Sequence, residues 1–361
     1  MSLLTGKKNL LALEPYYGGS HRFFLDGMAR QGRFSMEVRS LPAHSWKWRM
    51  RFAAPFFAAT LPASASYDCV LCSSMLDVAA LRGIGPAWLK STRLVSYFHE
   101  NQFVYPVRHA DRRDLHFAIT NLTTAAASDW ILFNSAFNQR TFFTGSEELL
   151  ALLPDMREGI DLAKLMSKSS VLAPGIDFRG LDAVAANPVG VTEEGPLLIW
   201  NHRWEYDKNP DLFFECLFAL QKKKFPFKVA LLGQSFRNVP EIFEKARQQL
   251  QESVIHFGFV PRERYVQWLH AGTVVISTAL HEFFGMAVLE AVRAGCRPLL
   301  PARLSYPELF DGNFLYKDEE LAEALTQAFS EGRLAKEQAL WLTEPFSWNQ
   351  LLGKYETIFF G

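Results

Sequence analysis

The chain has 361 residues, which is long for one compact core and predicts two domains of roughly 100–200 residues each. Hydrophobic residues make up 49% of it and charged residues 21%, a balance that excludes a disordered or fibrous protein. Its 38 basic and 38 acidic side chains cancel, so net charge gives no support to a nucleic-acid ligand, although local basic patches stay open.

Targeting segments and cysteines narrow the class of protein further. No basic-then-apolar signal segment opens the chain and no apolar run reaches the roughly 18–20 residues of a membrane span, so we expect a cytoplasmic protein. The four cysteines are too few and too scattered for a disulfide framework. Cys69 and Cys72 have the spacing of a metal or redox pair, but no second pair completes a tetrahedral site, and we predict buried structural thiols.

Strand-like and helix-like segments alternate along the whole chain, the pattern of βαβ units around parallel sheets. The first series of predicted strands comprises Asn9–Glu14, Met36–Leu41, Asp68–Cys72, Leu94–Phe98, Trp130–Asn134 and Val171–Ala173, with a helix at Asp111–Ala127 among them. The second comprises Leu197–Trp200, Lys228–Leu232, Val254–Phe257, Thr273–Ser277 and Arg297–Leu300. The polar, small-residue-rich segment Asp177–Gly195 between them is the predicted hinge. We therefore predict an α/β fold with domains at residues 1–180 and 181–345, followed by an amphipathic helix around Trp348–Phe359 that covers one sheet.

A pair of glycines follows the first predicted strand, in Tyr17-Gly18-Gly19-Ser20. Gly18 and Gly19 permit positive φ angles and a close approach of the backbone to a sugar or phosphate. A bare glycine pair is also the commonest form of tight turn, so this motif indicates a ligand only in combination with others.

Aromatic and basic residues alternate in Trp46-Lys47-Trp48-Arg49-Met50-Arg51. Such a segment suits single-stranded RNA, because rings stack on bases and cations contact phosphates. The alternative is an amphipathic helix with buried tryptophans and solvated cations. Since a spacing of two puts Trp46 and Trp48 on different helix faces, at least one of them should be exposed. Arg108, Arg112 and Arg113 form a second candidate phosphate patch.

A polar cluster, His99-Glu100-Asn101-Gln102, follows the strand Leu94–Phe98. At a carboxyl strand end, a neutral imidazole donates one hydrogen bond and accepts another, which suits contact with a sugar or a leaving group. The alternative is a core histidine satisfied by a neighbouring carbonyl. We predict a functional role because three further polar residues adjoin it.

Two cations follow the first strand of the second series. Arg203 and Lys208 flank a turn before a helix whose N-cap and first position suit Asn209 and Pro210. Together they predict a diphosphate site, with Arg203 as a bidentate donor and Lys208 as a mobile point charge. The alternative is a solvated cluster of charges with Glu205 and Asp207.

Two carboxylates lie eight positions apart in His281-Glu282-Phe283-Phe284-Gly285-Met286-Ala287-Val288-Leu289-Glu290-Ala291. A buried strand precedes this motif and helical spacing follows it, so Glu282 is predicted in a loop and Glu290 in the next helix. In an open α/β sheet this loop lies at the carboxyl edge of the strands, where a helix N-terminus offers free N–H groups to anions. The motif therefore predicts a phosphate-bearing ligand with hydroxyl groups.

In this order, the motifs resemble the donor-nucleotide site of retaining GT-B glycosyltransferases. The resemblance extends to Leu232-Gly233, His256-Phe257-Gly258-Phe259-Val260, Asn134-Ser135, Pro174-Gly175-Ile176-Asp177 and Phe346-Ser347-Trp348. It implies two Rossmann-like domains facing a cleft, with the helix of residues 346–361 crossing back to the N-terminal domain. It further implies that Arg203 and Lys208 bind the diphosphate, Glu290 the ribose, and Glu282 with the following amides the transferred sugar. The predicted donor-binding residues are Gly18, Gly19, Asn201, Gly233, Phe259, Val260, Phe284, Gly285, Met286 and Glu290.

The N-terminal half is similar to the tRNA-queuosine α-mannosyltransferase family. The similarity lies in Leu13-Glu14-Pro15-Tyr16-Tyr17-Gly18-Gly19-Ser20-His21, Leu41-Pro42-Ala43-His44-Ser45-Trp46-Lys47-Trp48-Arg49-Met50-Arg51 and Tyr97-Phe98-His99-Glu100-Asn101-Gln102-Phe103-Val104-Tyr105-Pro106. It implies transfer of mannose from GDP-mannose to queuosine at the wobble position of tRNA-Asp. The predicted catalytic residues are His99, Glu282, Arg203 and Lys208, and the predicted acceptor-binding residues are His21, Trp46, Lys47, Trp48, Arg49, Arg51, Glu100, Asn101 and Gln102. The chain is also expected to be shorter than its animal relatives.

The family implies retention of configuration by same-face attack, in which the departing diphosphate helps to accept the acceptor proton. No Asp-x-Asp motif is evident, so we expect a metal-independent enzyme without a cofactor other than its donor substrate. Two rival functions stay open: transfer to a lipid, glycan or small molecule, and non-catalytic binding of nucleotide or RNA. The sequence leaves the oligomeric state undetermined.

Overall fold

Two six-stranded parallel sheets form the framework of the protein. A computed structural model of the chain describes residues 6–105, 114–184, 195–233 and 239–361. The chain divides into two compact units, one made of Met1–Ile176 with Phe346–Gly361 and the other of Asp177–Pro345. Each unit has its own sheet and its own apolar cores, as the two series of predicted strands require.

The first unit arranges its strands in the order β2-β1-β3-β4-β5-β6. The strands are β1 Asn9–Tyr17, β2 Ser35–Pro42, β3 Cys69–Ser73, β4 Arg93–Phe98, β5 Trp130–Phe133 and β6 Ser169–Val171. The helices are α1 Gly19–Ala29, α2 Trp46–Thr60, α3 Val78–Ile84, α4 Leu115–Ala127, α5 Ala136–Leu152 and α6 Leu162–Ser167, with 3₁₀ turns at Ala87–Lys90 and Arg157–Gly159. Because the strand order reverses beside β1, the switch point lies between β1 and β3, where open α/β sheets bind ligands.

The second unit arranges its strands in the order β12-β11-β10-β7-β8-β9. The strands are β7 Leu197–Trp200, β8 Lys228–Leu231, β9 Val254–Phe257, β10 Val274–Ile276, β11 Arg297–Pro301 and β12 Leu315–Tyr316. The helices are α7 Arg179–Asp182, α8 Pro210–Lys222, α9 Ile242–Gln249, α10 Arg262–Ala271, α11 Met286–Arg293, α12 Tyr306–Leu309, α13 Leu321–Glu331 and α14 Lys336–Thr343, with 3₁₀ turns at Tyr206–Lys208, Gly312–Phe314, Asp318–Glu320 and Glu344–Phe346. Here the order reverses between β10 and β7, so the loops after these strands border the second switch point.

The last helix, α15 Trp348–Phe360, packs on the sheet of the first unit. Its ring at Trp348 lies in the same apolar core as Phe24 and Tyr97, and the hydroxyl of Tyr355 donates to the carbonyl of Ala173 at 2.8 Å. Burying one such aromatic side chain contributes about 1.5–3 kcal/mol. The amphipathic pattern predicted a covering helix, and these rings show which face it buries.

Gly27 on α1 makes room for the Trp348 ring. A Cβ at this position would lie 2.3 Å from Trp348 Nε1, so we expect Gly27→Ala to destabilise the fold by about 1–3 kcal/mol, the range for overpacked cores. Thermal denaturation measures the effect. Gly353→Ala on α15 is the matched control, because nothing lies within 4 Å of its Cβ position and alanine favours helix by about 0.5–1 kcal/mol. Equal melting temperatures for both variants would contradict the close packing.

Four details differ from the sequence-based prediction. β12 is two residues long, too short to give an alternating pattern, and was not predicted. β6 ends at Val171, so the strand predicted at Val171–Ala173 begins two residues too late. The predicted hinge contains α7, and its residues 185–194 lie outside the described part of the chain. Asn209 is the N-cap residue of α8 but adopts φ 49° and forms no side-chain capping bond, so its left-handed conformation, not its amide, suits it to this position.

The expectation for the cysteines is confirmed. Cys69, Cys72, Cys216 and Cys296 are all buried as free thiols, and burial raises the pKa of Cys69, Cys216 and Cys296 to about 12. Such thiols stay protonated and unreactive at neutral pH.

Within the described residues, the helices are too short or too polar to cross a bilayer.

Candidate active site

The loops after β7 and β10 meet at the switch point of the second unit. The hydroxyl of Thr278 donates to the carbonyl of Lys208 at 2.8 Å, and the amides of Leu280 and His281 donate to the carbonyl of Asp207 at 2.8 and 3.2 Å. These bonds fix the turn that carries the two predicted cations against the loop that carries Glu282. The structure thus brings together two motifs that are some seventy positions apart in the sequence.

Lys208 is buried and held at three points. Its Nζ donates to the carbonyl of His281 at 2.6 Å and lies 3.4 Å from both Glu282 Oε2 and Asp207 Oδ2. The prediction of a mobile point charge is therefore wrong. Since a buried ammonium is stable only with close anionic or carbonyl partners, these contacts account for its immobility.

Arg203 is the exposed cation of the pair. Its guanidinium lies 2.8 Å from Glu205 Oε2 and 3.7 Å from Asp207 Oδ2, and 47% of the side chain is exposed. The alternative of a solvated charge pair therefore describes Arg203 in this structure, but not Lys208 or Asp207. Arg203 and Lys208 both lie within 4 Å of Asp207 Oδ2. The buried Lys208 is fixed there, whereas the exposed Arg203 can exchange its carboxylate partner for a ligand. An exposed ion pair contributes only about 0–1 kcal/mol, so an anionic ligand can replace Glu205 at little cost.

Glu282 folds back on its own loop. Its Oε1 accepts from the amides of Phe283 and Phe284 at 3.1 and 3.3 Å, while Oε2 faces Lys208. Burial acts to raise the pKa of Glu282, but Lys208, His202 and the Phe284 amide outweigh it and lower the pKa to about 2. Glu282 is ionised at neutral pH. The two amides expected to bind a sugar together with Glu282 are thus bonded to Glu282 itself.

The amides of Met286 and Ala287, at the start of α11, have no acceptor among the described residues. Gly285 precedes them with φ 104°, a left-handed conformation that glycine adopts without strain. The Phe284 side chain is buried, so only its backbone faces the loop. At this turn, the backbone groups of residues 285–287 are therefore the ones placed to make the predicted contact with an anion.

His202, between the two strand-end loops, was not among the predicted site residues. It is buried, and burial together with the Lys208 charge lowers its pKa to about 4, so the imidazole is neutral at pH 7. Gly233 lies directly against it, since a Cβ there would be 1.9 Å from the His202 carbonyl oxygen. Gly233 therefore has a packing role that no larger residue can fill, in addition to its predicted place beside the donor.

Glu290 is linked to Asn201 through a tyrosine. Glu290 Oε1 lies 2.5 Å from Arg262 Nη2, and its Oε2 accepts from the Tyr265 hydroxyl at 3.3 Å. Asn201 Nδ2 donates to the same hydroxyl at 3.0 Å and to the carbonyl of Ala287 at 2.9 Å. Burial and Glu290 raise the pKa of Tyr265 well above its ordinary value, so the phenol stays a donor.

Sequence reasoning missed Asp207, Arg262 and Tyr265. The only local signal for the latter two is their spacing of three in the first turn of α10, which puts a cation and a phenol on one helix face. Just before α10, Phe259 is 69% exposed and Val260 is half-buried. That exposure leaves the Phe259 ring accessible to a planar ligand.

A second charged cluster lies at the switch point of the first unit. His21 Nδ1 lies 3.0 Å from Glu14 Oε2 and His21 Nε2 lies 3.2 Å from Glu100 Oε2. Burial acts against the charged imidazole, but Glu14 and Glu100 outweigh it and raise the pKa of His21 to about 10. Both ring nitrogens of His21 thus donate to carboxylates, so neither is left to bind the acceptor substrate. The prediction of a direct acceptor contact by His21 is not supported by this placement.

His99 stacks on the charged His21 ring, with centroids 4.1 Å apart. Burial and the neighbouring His21 charge hold the pKa of His99 well below its ordinary value, so it is neutral. Within the described residues its ring nitrogens have no hydrogen-bond partner. Glu14, His21 and His99 offer donor atoms within 4.8 Å of one another, but a metal ion would have to displace a carboxylate from His21.

Asn101 and Gln102, which follow Glu100, are both buried. Asn101 is fully buried, donates to Asn138 Oδ1 at 2.9 Å and accepts from the amide of Phe103 at 3.0 Å. These bonds use its amide to fix the loop, so the prediction of an acceptor contact by Asn101 is wrong. Gln102 is also buried, with its backbone amide donating to Asn121 Oδ1 at 2.8 Å.

Only one of the two glycines after β1 adopts a positive φ. Gly19 has φ 51°, whereas Gly18 is extended with φ −165°. Gly18 is required for another reason, because a Cβ there would lie 2.4 Å from Ala43 Cβ. Of the two glycines that permit a positive φ, only Gly19 thus adopts one.

The aromatic and basic segment forms the first turns of α2. Trp46 packs against Phe117 with ring centroids 5.0 Å apart, while Trp48 is 67% exposed, which confirms that the two rings lie on different faces. Lys47 and Arg51 lie over the Phe117 ring, and Arg49 donates to the carbonyl of Pro42. Trp46 is therefore a packing residue with little surface for an acceptor. The second candidate patch, Arg108, Arg112 and Arg113, lies outside the described residues.

Comparison with known proteins adds independent information. Residues 9–176 match the family model described as tRNA-queuosine alpha-mannosyltransferase N-terminal, and residues 185–339 match the model described as Glycosyl transferases group 1. The tRNA-queuosine alpha-mannosyltransferase of Drosophila melanogaster is 35% identical, over 98% of this chain and 97% of the relative. That coverage contradicts the expectation of a chain shorter than its animal relatives.

Solved structures share the fold at low sequence identity. Sucrose-phosphate synthase from Thermosynechococcus elongatus aligns with a TM-score of 0.70 and 13% identity over 98% of both chains. HepE of Anabaena, solved in complex with UDP, aligns with a TM-score of 0.67 and 14% identity over 97% of this chain and 99% of that one. Together with the two parallel sheets, these matches confirm the predicted α/β fold of the GT-B class.

Proposed function

This chain belongs to the family of tRNA-queuosine alpha-mannosyltransferases, and on that premise we propose that it transfers mannose from GDP-mannose to queuosine at the wobble position of tRNA-Asp. The family resemblance drawn from the sequence motifs is thereby confirmed, and the protein is a glycosyltransferase. A tRNA acceptor also suggests the cytoplasm as the place of the reaction.

The observation that carries the proposal is the match to the relative from end to end. Its 35% identity covers the N-terminal half as well as the donor half, and the model for residues 9–176 is described by this family's name. The donor half alone matches a general glycosyltransferase model. The acceptor part of the proposal therefore rests on the first unit.

In the proposed reaction, the second unit holds the sugar nucleotide. Arg203 and Lys208 stabilise the negative charge that develops on the departing diphosphate, and the free amides at the start of α11 face the same ligand. Glu290, oriented by Arg262 and Tyr265, accepts hydrogen bonds from the ribose hydroxyls. Phe259, with most of its ring exposed, stacks on the nucleobase.

The chemical step proceeds with retention and without a metal ion or cofactor. The acceptor hydroxyl attacks the anomeric carbon from the face that the diphosphate leaves, and its proton passes to a diphosphate oxygen. His99, at the carboxyl edge of the first sheet, stays neutral because its pKa lies well below its ordinary value, and a neutral imidazole can donate one hydrogen bond and accept another.

Mass spectrometry of nucleosides tests the proposal. Queuosine-containing tRNA incubated with the protein and GDP-mannose is expected to yield queuosine carrying one hexose, and tRNA without queuosine is expected to yield none. UDP-glucose in place of GDP-mannose serves as the donor control. Transfer only to a lipid, glycan or small molecule would contradict the tRNA acceptor, and binding of GDP-mannose without transfer or hydrolysis would indicate a non-catalytic protein.

A further inference from the structure

Helix α2 presents a row of aromatic rings to solvent. Trp48, Phe52 and Phe56 follow one another at intervals of four residues, and their exposed fractions are 67%, 59% and 48%. The Trp48 and Phe52 ring centroids lie 5.5 Å apart. The opposite face of the helix is buried in the core through Met50, Ala53, Ala54 and Phe57. The exposed row, here called the aromatic stripe, is therefore not needed to hold the helix in place.

The surroundings of the aromatic stripe are basic. No acidic residue occurs between Glu37 and Asp68, a segment that contains Lys47, Arg49 and Arg51. In the described part of the chain none of these three cations has a carboxylate partner, unlike Arg39 nearby, which pairs with Glu37 at 2.7 Å. An aromatic surface with unpaired cations beside it is complementary to a polyanion with planar, apolar groups.

From this arrangement we propose that the aromatic stripe is a stacking platform for unpaired bases of the RNA acceptor. The inference rests on the proposed function for its RNA partner. Rings on successive helical turns lie about 6 Å apart, too far to match stacked nucleotides at 3.4 Å each. Bases splayed out in a single-stranded loop fit this spacing, and Lys47, Arg49 and Arg51 then contact the phosphates between them.

Alanine variants of the stripe test the proposal by RNA binding and by kinetics. Trp48→Ala and Phe52→Ala are each expected to raise the Kd for a queuosine-containing anticodon stem-loop about 5- to 150-fold, the range for loss of one base–aromatic stack. The KM for tRNA rises in parallel, while the KM for GDP-mannose and kcat at saturating tRNA stay unchanged. Trp48→Tyr keeps a stacking ring and is expected to bind nearly as well as the wild type.

Trp341→Ala is the matched control. Trp341 is 72% exposed on α14 of the second unit, so its removal tests the loss of an exposed tryptophan as such. The three substituted side chains, Trp48, Phe52 and Trp341, are all exposed, and circular dichroism melts check that the four variants are folded.

The outcomes separate this proposal from the proposed function. If the wild type glycosylates tRNA but the stripe variants keep its Kd and KM, the stacking platform is refuted and the function stands. If the wild type binds the stem-loop and the variants lose binding, but no hexose is transferred, the platform stands and the function fails. Stripe-dependent binding to anionic lipid vesicles, with unchanged RNA affinity, would assign the surface to a membrane instead and overturn the proposal.

Discussion

Replacing Arg203 with alanine is expected to lower kcat by about 10²–10³, the loss on removing one preorganised charge donor. The guanidinium is half exposed, its closest partner Glu205 is partly exposed, and the buried Asp207 keeps Lys208 as a cation, so the removal should change the stability by no more than about 1 kcal/mol. The expected result is a folded protein with a slow chemical step. Single-turnover transfer from GDP-mannose measures the rate, and a thermal melt measures the stability.

Lys208→Ala is expected to give the same loss of turnover with an additional loss of stability. Without the ammonium, the buried Asp207 carboxylate and the partly exposed Glu282 carboxylate would each lose a cation 3.4 Å away, and removing one partner of a buried ion pair costs about 3–5 kcal/mol. The difference in stability between the two variants thus separates the structural role of Lys208 from the catalytic role that both cations share.

Arg264→Ala is the control for both variants. Arg264 is exposed on α10 and, among the residues that the structure describes, donates to Gln267 alone, so neither rate nor stability should change. Unchanged transfer by Arg203→Ala would show that the diphosphate is held elsewhere. A Lys208→Ala protein as stable as the wild type would contradict the buried ion cluster.

Glu14→Gln is the second change with a large expected effect, because it removes a buried partner of charged His21. We expect a loss of about 3–5 kcal/mol at neutral pH, which corresponds to roughly 6–20 °C in the melting temperature of a domain of this size. Activity should fall as well, since the ring that supports His99 loses its fixed orientation. Differential scanning calorimetry on the whole chain measures the shift.

The pH dependence of the stability tests this prediction separately. The pKa of His21 is 6.5 when unfolded and about 10 when folded, so the stabilisation is fully present below pH 6.5 and is lost as the pH rises towards 10. The difference in the free energy of unfolding between the wild type and Glu14→Gln should therefore become smaller as the pH rises from 6.5 to 10. A difference that is constant from pH 6.5 to 10 would rule out an imidazolium at position 21. Glu37→Gln, in the exposed pair with Arg39, should change stability by less than about 1 kcal/mol at any pH.

Several parts of the fold and the site were predictable from short stretches of sequence. The apolar run Leu197–Trp200 has the bounds predicted for it, because a buried parallel strand needs apolar residues at consecutive positions. The bounds predicted for Val254–Phe257 are confirmed too, although this edge strand is not fully buried. The place of Glu282 before a helix and of Glu290 within it followed from the glycine turn at Gly285. The exposure of one of Trp46 and Trp48 followed from helical geometry alone.

The state of the charged groups was not predictable in this way. The position of the Lys208 ammonium depends on the carbonyl of His281, 73 residues further along the chain. The charge of His21 depends on Glu14 and also on Glu100, which is 79 residues away in the sequence. The same holds for Asn101, whose amide is used by Asn138 and Thr141 of α5. Local spacing shows that such residues are polar and lie at the carboxyl ends of strands. It does not show which of them already form hydrogen bonds or ion pairs within the protein.

The sequence by itself thus determined the alternation of strands and helices, the loops that carry the donor motifs and the family. Only the tertiary structure decided that buried Lys208 pairs with Glu282, that His21 is an imidazolium, and that Trp48 rather than Trp46 faces solvent. The reason is physical: secondary structure and turns depend on neighbours along the chain, whereas desolvation and ion pairing depend on all groups within a few ångströms in space.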